Sequence, residues 1–321
     1  SVWASYMSDA LVRFGDEVEV NFGPHTWPVW GNDNVVEYLK NQRDLYQSMY
    51  NTVLRYANYG YGPDEIAESA QLPESVYNNW DNRPYYGHTK NNLKSTYIRN
   101  MGWFDGNAAK LATYPDDERG KRYVEAMGGE DKVLDMAVKS FEDGDYRFTA
   151  DLLNNIVAYD GNNEKANFLM ADALEQLGYQ EENTLYRNLD LSGAYELRTG
   201  GSVPNELSTV SPEVIAALPP ELFLSYISMI VDQIKAEEAG NFTINLTLDD
   251  TDEFALDMHN GVLNYATGHQ YKEADATLSI AKLDMIGYVA GKAAIADLVD
   301  NGKAKVCLLY TSDAADEMRR G

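Results

Sequence analysis

The sequence predicts a mainly helical chain that gives way, near residue 212, to a smaller α+β block. Three observations carry this. Apolar residues recur at three- and four-residue intervals from 33 to 198, the spacing of one helix face. Residues 199–211 then hold Gly200-Gly201, Pro204 and several Ser and Thr, which reads as a linker and a domain boundary. Beyond it the apolar period changes to two across 242–248, 253–258, 261–265 and 276–280, as expected of short half-buried strands.

In chain order, Met7 to Leu11 reads as helix and Glu17 to Phe22 as strand, with Val18, Val20 and Phe22 alternating. Gly23-Pro24 forces a turn, His25 follows it, and Trp27, Pro28, Trp30 and Gly31 form a bulky loop. A histidine aimed by a turn suits a metal ligand, and equally a ring packed among tryptophans. Residues 33–60 predict one long helix with Val36, Leu39, Leu45, Met49, Val53 and Leu54 on its apolar face and Tyr46, Tyr50 and Tyr56 broadening it. That face fits a core or a second subunit. Gly60-Tyr61-Gly62-Pro63 stops the helix, and new helices open at Pro63 and Pro73.

Residues 83–107 are dense in polar and aromatic groups, among them Tyr86, His88, Asn92, Tyr97, Arg99 and Trp103. Arg99, Tyr97 and Asn92 make a guanidinium, hydroxyl and amide set suited to a tetrahedral oxyanion, or else a polar helix with packed tyrosines. Residues 116–198 predict further helices. Ala137, Phe141, Gly144-Asp145-Tyr146, Ala150, Ala173 and Gly178-Tyr179 follow a tetratricopeptide-like pattern for about one and a half repeats, too few for a peptide groove. In the last block, Pro212 to Glu238 predicts helix, with Leu222, Phe223, Ile227, Ile230, Val231 and Ile234 inward. Asn260-Gly261 predicts a hairpin turn, and Lys282–Ala290 and Ala293–Asn301 close with helices.

The 321 residues are enough for two or three domains, and 44% hydrophobic content makes the chain globular. With 51 acidic and 26 basic residues the net charge is −25, which opposes nucleic acid and anionic membranes at long range. An anionic substrate therefore needs local Arg or Lys. No apolar run is long enough for a membrane span. Cys307 is the single cysteine, so no intramolecular disulfide forms. Residues 307–321 resemble a translated sequencing adapter and are set aside as an artefactual tail. Ser1 falls straight into an amphipathic pattern, which suggests an amino-terminal truncation.

Several runs resemble signatures of the alkyl sulfatase family, enzymes of metallo-β-lactamase fold. They are His25-Thr26-Trp27-Pro28-Val29-Trp30-Gly31, Arg83-Pro84-Tyr85-Tyr86-Gly87, Tyr97-Ile98-Arg99, Gly102-Trp103-Phe104-Asp105-Gly106-Asn107 and Ala171 to Tyr179. They stand in family order, and the similarity extends to about Val306. The resemblance implies that residues 1–32 are the end of a metallo-β-lactamase-like catalytic domain. It implies a helical dimerisation domain over 33–198 and a sterol-carrier-protein-2-like domain over 212–306 that encloses an apolar tunnel. It further implies two zinc ions, with His25 ligating one and the His-x-His-x-Asp-His motif upstream of Ser1. Asn92, Tyr97 and Arg99 would hold the sulfate, and Tyr86, Trp27 and Trp103 would line the pocket. His88 falls where the family has a small residue and is assigned to the surface.

Two functions follow. The first is part of a zinc-dependent alkyl sulfatase that releases an alcohol and inorganic sulfate, inactive in this span because most metal ligands are missing. The alternative is a non-catalytic module for homodimerisation and acyl-chain binding. Either way the expected partners are a second copy and an alkyl sulfate or similar amphiphile. The sequence does not fix the compartment; the resemblance, to a family whose members are often exported, favours the periplasm or medium.

Overall fold

The computed structural model describes residues 1–201 and 212–308. Most of the expected 199–211 linker and the tail beyond Leu308 lie outside these residues. The chain divides into two compact units, Ser1–Pro204 and Asn205–Gly321. The first is mainly α and the second α+β, as the two hydrophobic periods predict.

The first unit opens with α1 (Val2–Phe14) and a minimal hairpin, β1 (Val20–Asn21) and β2 (Val29–Trp30), antiparallel with Val20 opposite Trp30. The expected strand from Glu17 to Phe22 is thus two residues long, and Phe22 is solvent-exposed. Its partner Val29–Trp30 falls inside the stretch expected to be loop. Two-residue pairing leaves no period to read. α2 (Asn32–Asn58) is the 27-residue spine of this half. It buries Val35, Met49, Thr52 and Val53, so Val35 rather than Val36 faces inward. α3 (Pro63–Ser69) has Pro at N1 and a Glu65 carboxylate accepting the Gly62 N–H, the reciprocal half of a capping box. After α4 (Glu74–Tyr77), α5 (Thr89–Met101) packs on α2 and α3 around a core of Met49, Val53, Ile66, Leu93 and Tyr97.

Five helices follow: α6 (Asp116–Ala126), α7 (Glu130–Glu142), α8 (Tyr146–Tyr159), α9 (Glu164–Gln180) and α10 (Thr184–Thr199), with α8 packed on α6, α7 and α9 and α10 on α9. Asp145, Asn163 and Asn183 cap α8, α9 and α10 with side-chain oxygens. Val124, Val133, Ala137, Leu153, Ile156 and Ala166 form their core. Glu130 of α7 takes hydrogen bonds from the Tyr159 hydroxyl and from Asn163 Nδ2. Burial and this carboxylate push the Tyr159 phenol up to about 12.

In the second unit the expected helix over 212–238 is three short ones, α11 (Pro212–Ala217), α12 (Pro220–Ile230) and α13 (Gln233–Ala239). Pro219-Pro220 forces the first break and the Asp232 cap the second. The breaks turn the apolar stripe: Phe223, Leu224 and Ile227 are buried, whereas Leu222, Ile230 and Ile234 face solvent. The sheet has the order β5-β4-β3-β6-β7, from β3 (Phe242–Leu248), β4 (Asp252–His259), β5 (Val262–Thr267), β6 (Ala276–Ile280) and β7 (Ala304–Leu308). β3 pairs antiparallel to β4 and parallel to β6, with Ile244 opposite Ala276. Asn260 and Gly261 both take positive φ, 52° and 74°, as the tight primed turn between β4 and β5 requires. A Cβ on Gly261 would also lie 2.2 Å from the Gln233 carbonyl of α13, so only glycine fits.

α14 (Lys282–Val289) and α15 (Ile295–Asp300) complete the second core. β7 pairs with β6 and takes in Cys307 and Leu308, the first two residues of the stretch expected to be a tail. Lys282 is buried, its ammonium donating to the carbonyls of Ala216, in the last turn of α11, and Leu218, just beyond it, and lying over the Phe223 ring. No described helix is long and apolar enough to cross a membrane.

Candidate functional site

Two neighbouring features of the first unit gather the candidate residues. The first is aromatic. The β1–β2 loop carries His25 at its exposed tip, where the imidazole stacks flat on Tyr86 with ring centroids 3.5 Å apart and planes 6° apart. Trp27 of the same loop meets Tyr85 edge-on at 5.3 Å and Trp80 at 5.8 Å. Arg83 lies over the Trp80 ring and pairs with Glu182 at 2.7 Å. The Tyr85 hydroxyl is buried without a hydrogen-bond partner among the described residues, and desolvation pushes its pKa up.

The second is a groove of about 780 Å³ between α1, α2 and α5, lined by Trp3, Tyr46, Met49, Asn92, Thr96 and Arg99 among others. Positions 92, 96 and 99 fall at i, i+4 and i+7, so one face of α5 presents all three. Trp3 stacks on Tyr46 at 5.8 Å, forming an aromatic wall. Lys90 and Lys94 of α5 are engaged by Glu68 at 2.9 Å and Asp64 at 2.7 Å. The Arg99 side chain has no ion pair or hydrogen bond among the described residues. The Arg99 guanidinium thus keeps its planar set of donors free on the groove wall.

Asn92 links the two features. A Cβ at Gly87, the residue after Tyr86, would stand 3.2 Å from Asn92 Nδ2. Tyr97 does not join Asn92 and Arg99 in the groove. It is 7% exposed and packs with Met49, Val53, Ile66 and Leu93, because at i+4 from Leu93 it shares the inward face of α5. Trp103 lies past the helix end, 67% exposed and tilted against Phe104, outside both features.

His88 corrects its assignment to the surface. Its side chain is only 14% exposed, stacks on Tyr186 at 4.0 Å and stands 3.8 Å from Glu181. Nδ1 accepts the Lys90 N–H and so caps α5. Burial holds its pKa below the usual value, against the opposing pull of Glu181. Glu181, Asn183, Thr184 and Tyr186, which contact the 83–91 segment from the α9–α10 corner, carried no functional signal in the sequence beyond an Asn at a helix start.

No three His, Cys, Asp or Glu side chains converge to hold a metal ion among the described residues. His25 is one donor where a two-zinc centre needs several, so these residues do not fit such a centre by themselves and no step through a metal is derived from them.

Residues 62–200 match the family described as alkyl sulfatase dimerisation, and residues 208–307 that described as alkyl sulfatase C-terminal. The chain is 40% identical over 307 residues to a linear primary-alkylsulfatase of Pseudomonas sp., a match covering 95% of this chain and 45% of that protein. An (R)-specific secondary-alkylsulfatase of Pseudomonas sp. is likewise 40% identical, over 95% of this chain and 46% of its own length. An alkyl/aryl-sulfatase of Saccharomyces cerevisiae is 36% identical, over 95% and 47%. The solved structure of a stereoselective inverting sec-alkylsulfatase from Pseudomonas sp. superposes with a TM-score of 0.90 at 38% identity, covering 98% of this chain and 49% of that one. The chain spans about half the length of these relatives. It carries the dimerisation domain and the C-terminal domain of the alkyl sulfatases, in that order.

Proposed function

We propose that this chain works as part of a zinc-dependent alkyl sulfatase that hydrolyses alkyl sulfate esters to an alcohol and inorganic sulfate. The observation that supports this most is the unpaired Arg99 beside Asn92 in an aromatic-walled groove, within a chain 40% identical to an alkylsulfatase over 95% of its length. In this reading Arg99 and Asn92 donate hydrogen bonds to the sulfate oxygens, and Trp27 and Tyr86 contribute apolar surface toward the alkyl tail. His25, held flat against Tyr86, offers one imidazole nitrogen to a zinc ion whose other ligands belong to residues beyond this span. The 321 residues alone then hydrolyse no alkyl sulfate.

The experiment is zinc analysis of a protein spanning the full length of the relatives. His25→Ala is expected to lose one zinc per subunit and nearly all turnover, and unchanged zinc content in that variant refutes the assignment. A second reading, a non-catalytic module that pairs subunits and binds acyl chains, draws on the dimerisation match and on the exposed Met229, Ile230 and Ile234. Saturable binding of an uncharged acyl probe to the 321-residue chain would favour it.

A further inference from the structure

Asn183, at the start of α10, is fully buried. Its Oδ1 accepts the Tyr186 N–H at 2.9 Å, which is the ordinary work of a helix cap. Its Nδ2 does something a cap does not need, donating to both the Pro84 and the Tyr86 carbonyl at 2.8 Å. Thr184 takes the carbonyl between them, Tyr85 O accepting from the Thr184 N–H at 3.2 Å and from Oγ1 at 2.9 Å. Two adjacent residues thus hold three successive carbonyls almost a hundred positions earlier. Ser, Thr or Asp would cap α10 equally well; only a side-chain amide supplies the acceptor and two donors together. The held segment has no helix or strand of its own. Ion pairs and hydrogen bonds of Arg83 with Glu182 and of Asn91 with Tyr186 flank the clasp on either side.

We propose that Asn183 is a positioning residue for Tyr86 and, through the ring stack, for His25. With its carbonyl fixed, Tyr86 can present its ring to the imidazole at 3.5 Å, which orients a side chain that is otherwise exposed on a loop tip. The functional weight of this inference rests on the reading of His25 as a metal ligand, whereas its test reads position alone.

The test is proton–carbon NMR of the histidine Hε1 signals in the 321-residue chain, with His25 assigned by His25→Gln. Stacking on Tyr86 shifts the His25 signal upfield, and Tyr86→Leu gives the reference for complete loss of that shift. Asn183→Asp keeps the cap acceptor but puts a carboxylate against two carbonyls. The expected result is a His25 signal moved most of the way to the Tyr86→Leu position with helix content retained. Exchange of the Thr184 N–H should also quicken by about tenfold or more. A His25 signal that stays at its wild-type position in folded Asn183→Asp overturns the proposal. Asn163→Ala removes the cap at the opposite end of the 17-residue α9, about 25 Å from the clasp, and is expected to lower Tm without moving His25. An equal movement there would mean general loosening and also overturns it. If Asn183→Asp fails to fold, Thr184→Val decides: a partial shift of His25 supports the clasp, and none overturns it. Failure of the zinc assignment would show as unchanged metal content in His25→Ala, independently of these signals.

Discussion

Gly120→Ala opposes two effects within the dimerisation domain. Gly120 lies inside α6, where alanine is the better helix former by about 1 kcal/mol. On propensity alone the substitution stabilises. However, a Cβ on Gly120 would stand 2.4 Å from the backbone carbonyl oxygen of Asn155 in α8, and real Cβ atoms essentially never come within 3.0 Å of another heavy atom. A carbonyl inside a helix cannot rotate away, so α6 and α8 must part by at least about 0.6 Å, opening the contact among Val124, Leu152 and Ile156. Overpacking costs about 1–3 kcal/mol, and a rigid obstacle argues for the upper end. Subtracting the propensity gain leaves a net loss of about 2 kcal/mol. For a unit of this size that lowers Tm by about 4–8 °C. Gly193→Ala in α10 is the control. Its Cβ would meet only the mobile Leu174 Cδ1 at 3.3 Å, so the propensity gain should survive and Tm hold or rise slightly. Thermal and urea unfolding of the two variants read the difference, and a Gly120→Ala protein as stable as wild type would refute the reasoning.

Three further outcomes follow from the site. Burial favours neutral His88, so its contribution to stability is complete above the unfolded value of about 6.5 and is lost as pH falls through the lower folded pKa. Urea unfolding from pH 8 to 5 should show this loss in wild type and less of it in His88→Gln. In a protein of the relatives' full length, Arg99→Lys keeps the charge but loses the planar fork, and kcat/KM should drop by about tenfold to a thousandfold on short and long alkyl sulfates alike. Tyr97→Phe, a change within the core, should leave kcat/KM nearly intact. Sedimentation of the 321-residue chain at micromolar concentration should show a dimer, with the contact in residues 33–110; monomer alone would contradict the proposed pairing.

The helices were legible because burial imposes a period: Met49 and Val53 on α2 and Ala137 on α7 are buried as the sequence reading required. The same period, applied strictly, would have separated Tyr97 from Asn92 and Arg99, since Leu93 and Tyr97 share one face of α5 and 92, 96 and 99 another. What had no period stayed hidden. Val29–Trp30 pairs over two residues, β7 runs into a stretch set aside for its likeness to an adapter, and the turns at Pro219-Pro220 and Asp232 re-aim an apolar stripe that looked continuous. The Asn183 clasp was invisible for a different reason. Its acceptors are main-chain carbonyls, which every sequence possesses, so nothing in the residue types at 84–86 announces it.

The parallel pairing of β3 with β6 bears on the order in which the second unit is made. β3, β4 and β5 can zip as successive hairpins, each closing a short loop on the microsecond scale. β6 cannot dock beside β3 until the chain has gone out through β4 and β5 and returned, so that contact carries a larger loop-closure cost. β7 then arrives last, after α14 and α15, and until it does β6 presents an unpaired edge. During synthesis that edge stays open to other strands until the residues around Leu308 have left the ribosome. The vulnerable interval in the life of this domain is therefore set by its final few residues, and a chain that stops before Ala304 would carry the exposed edge permanently.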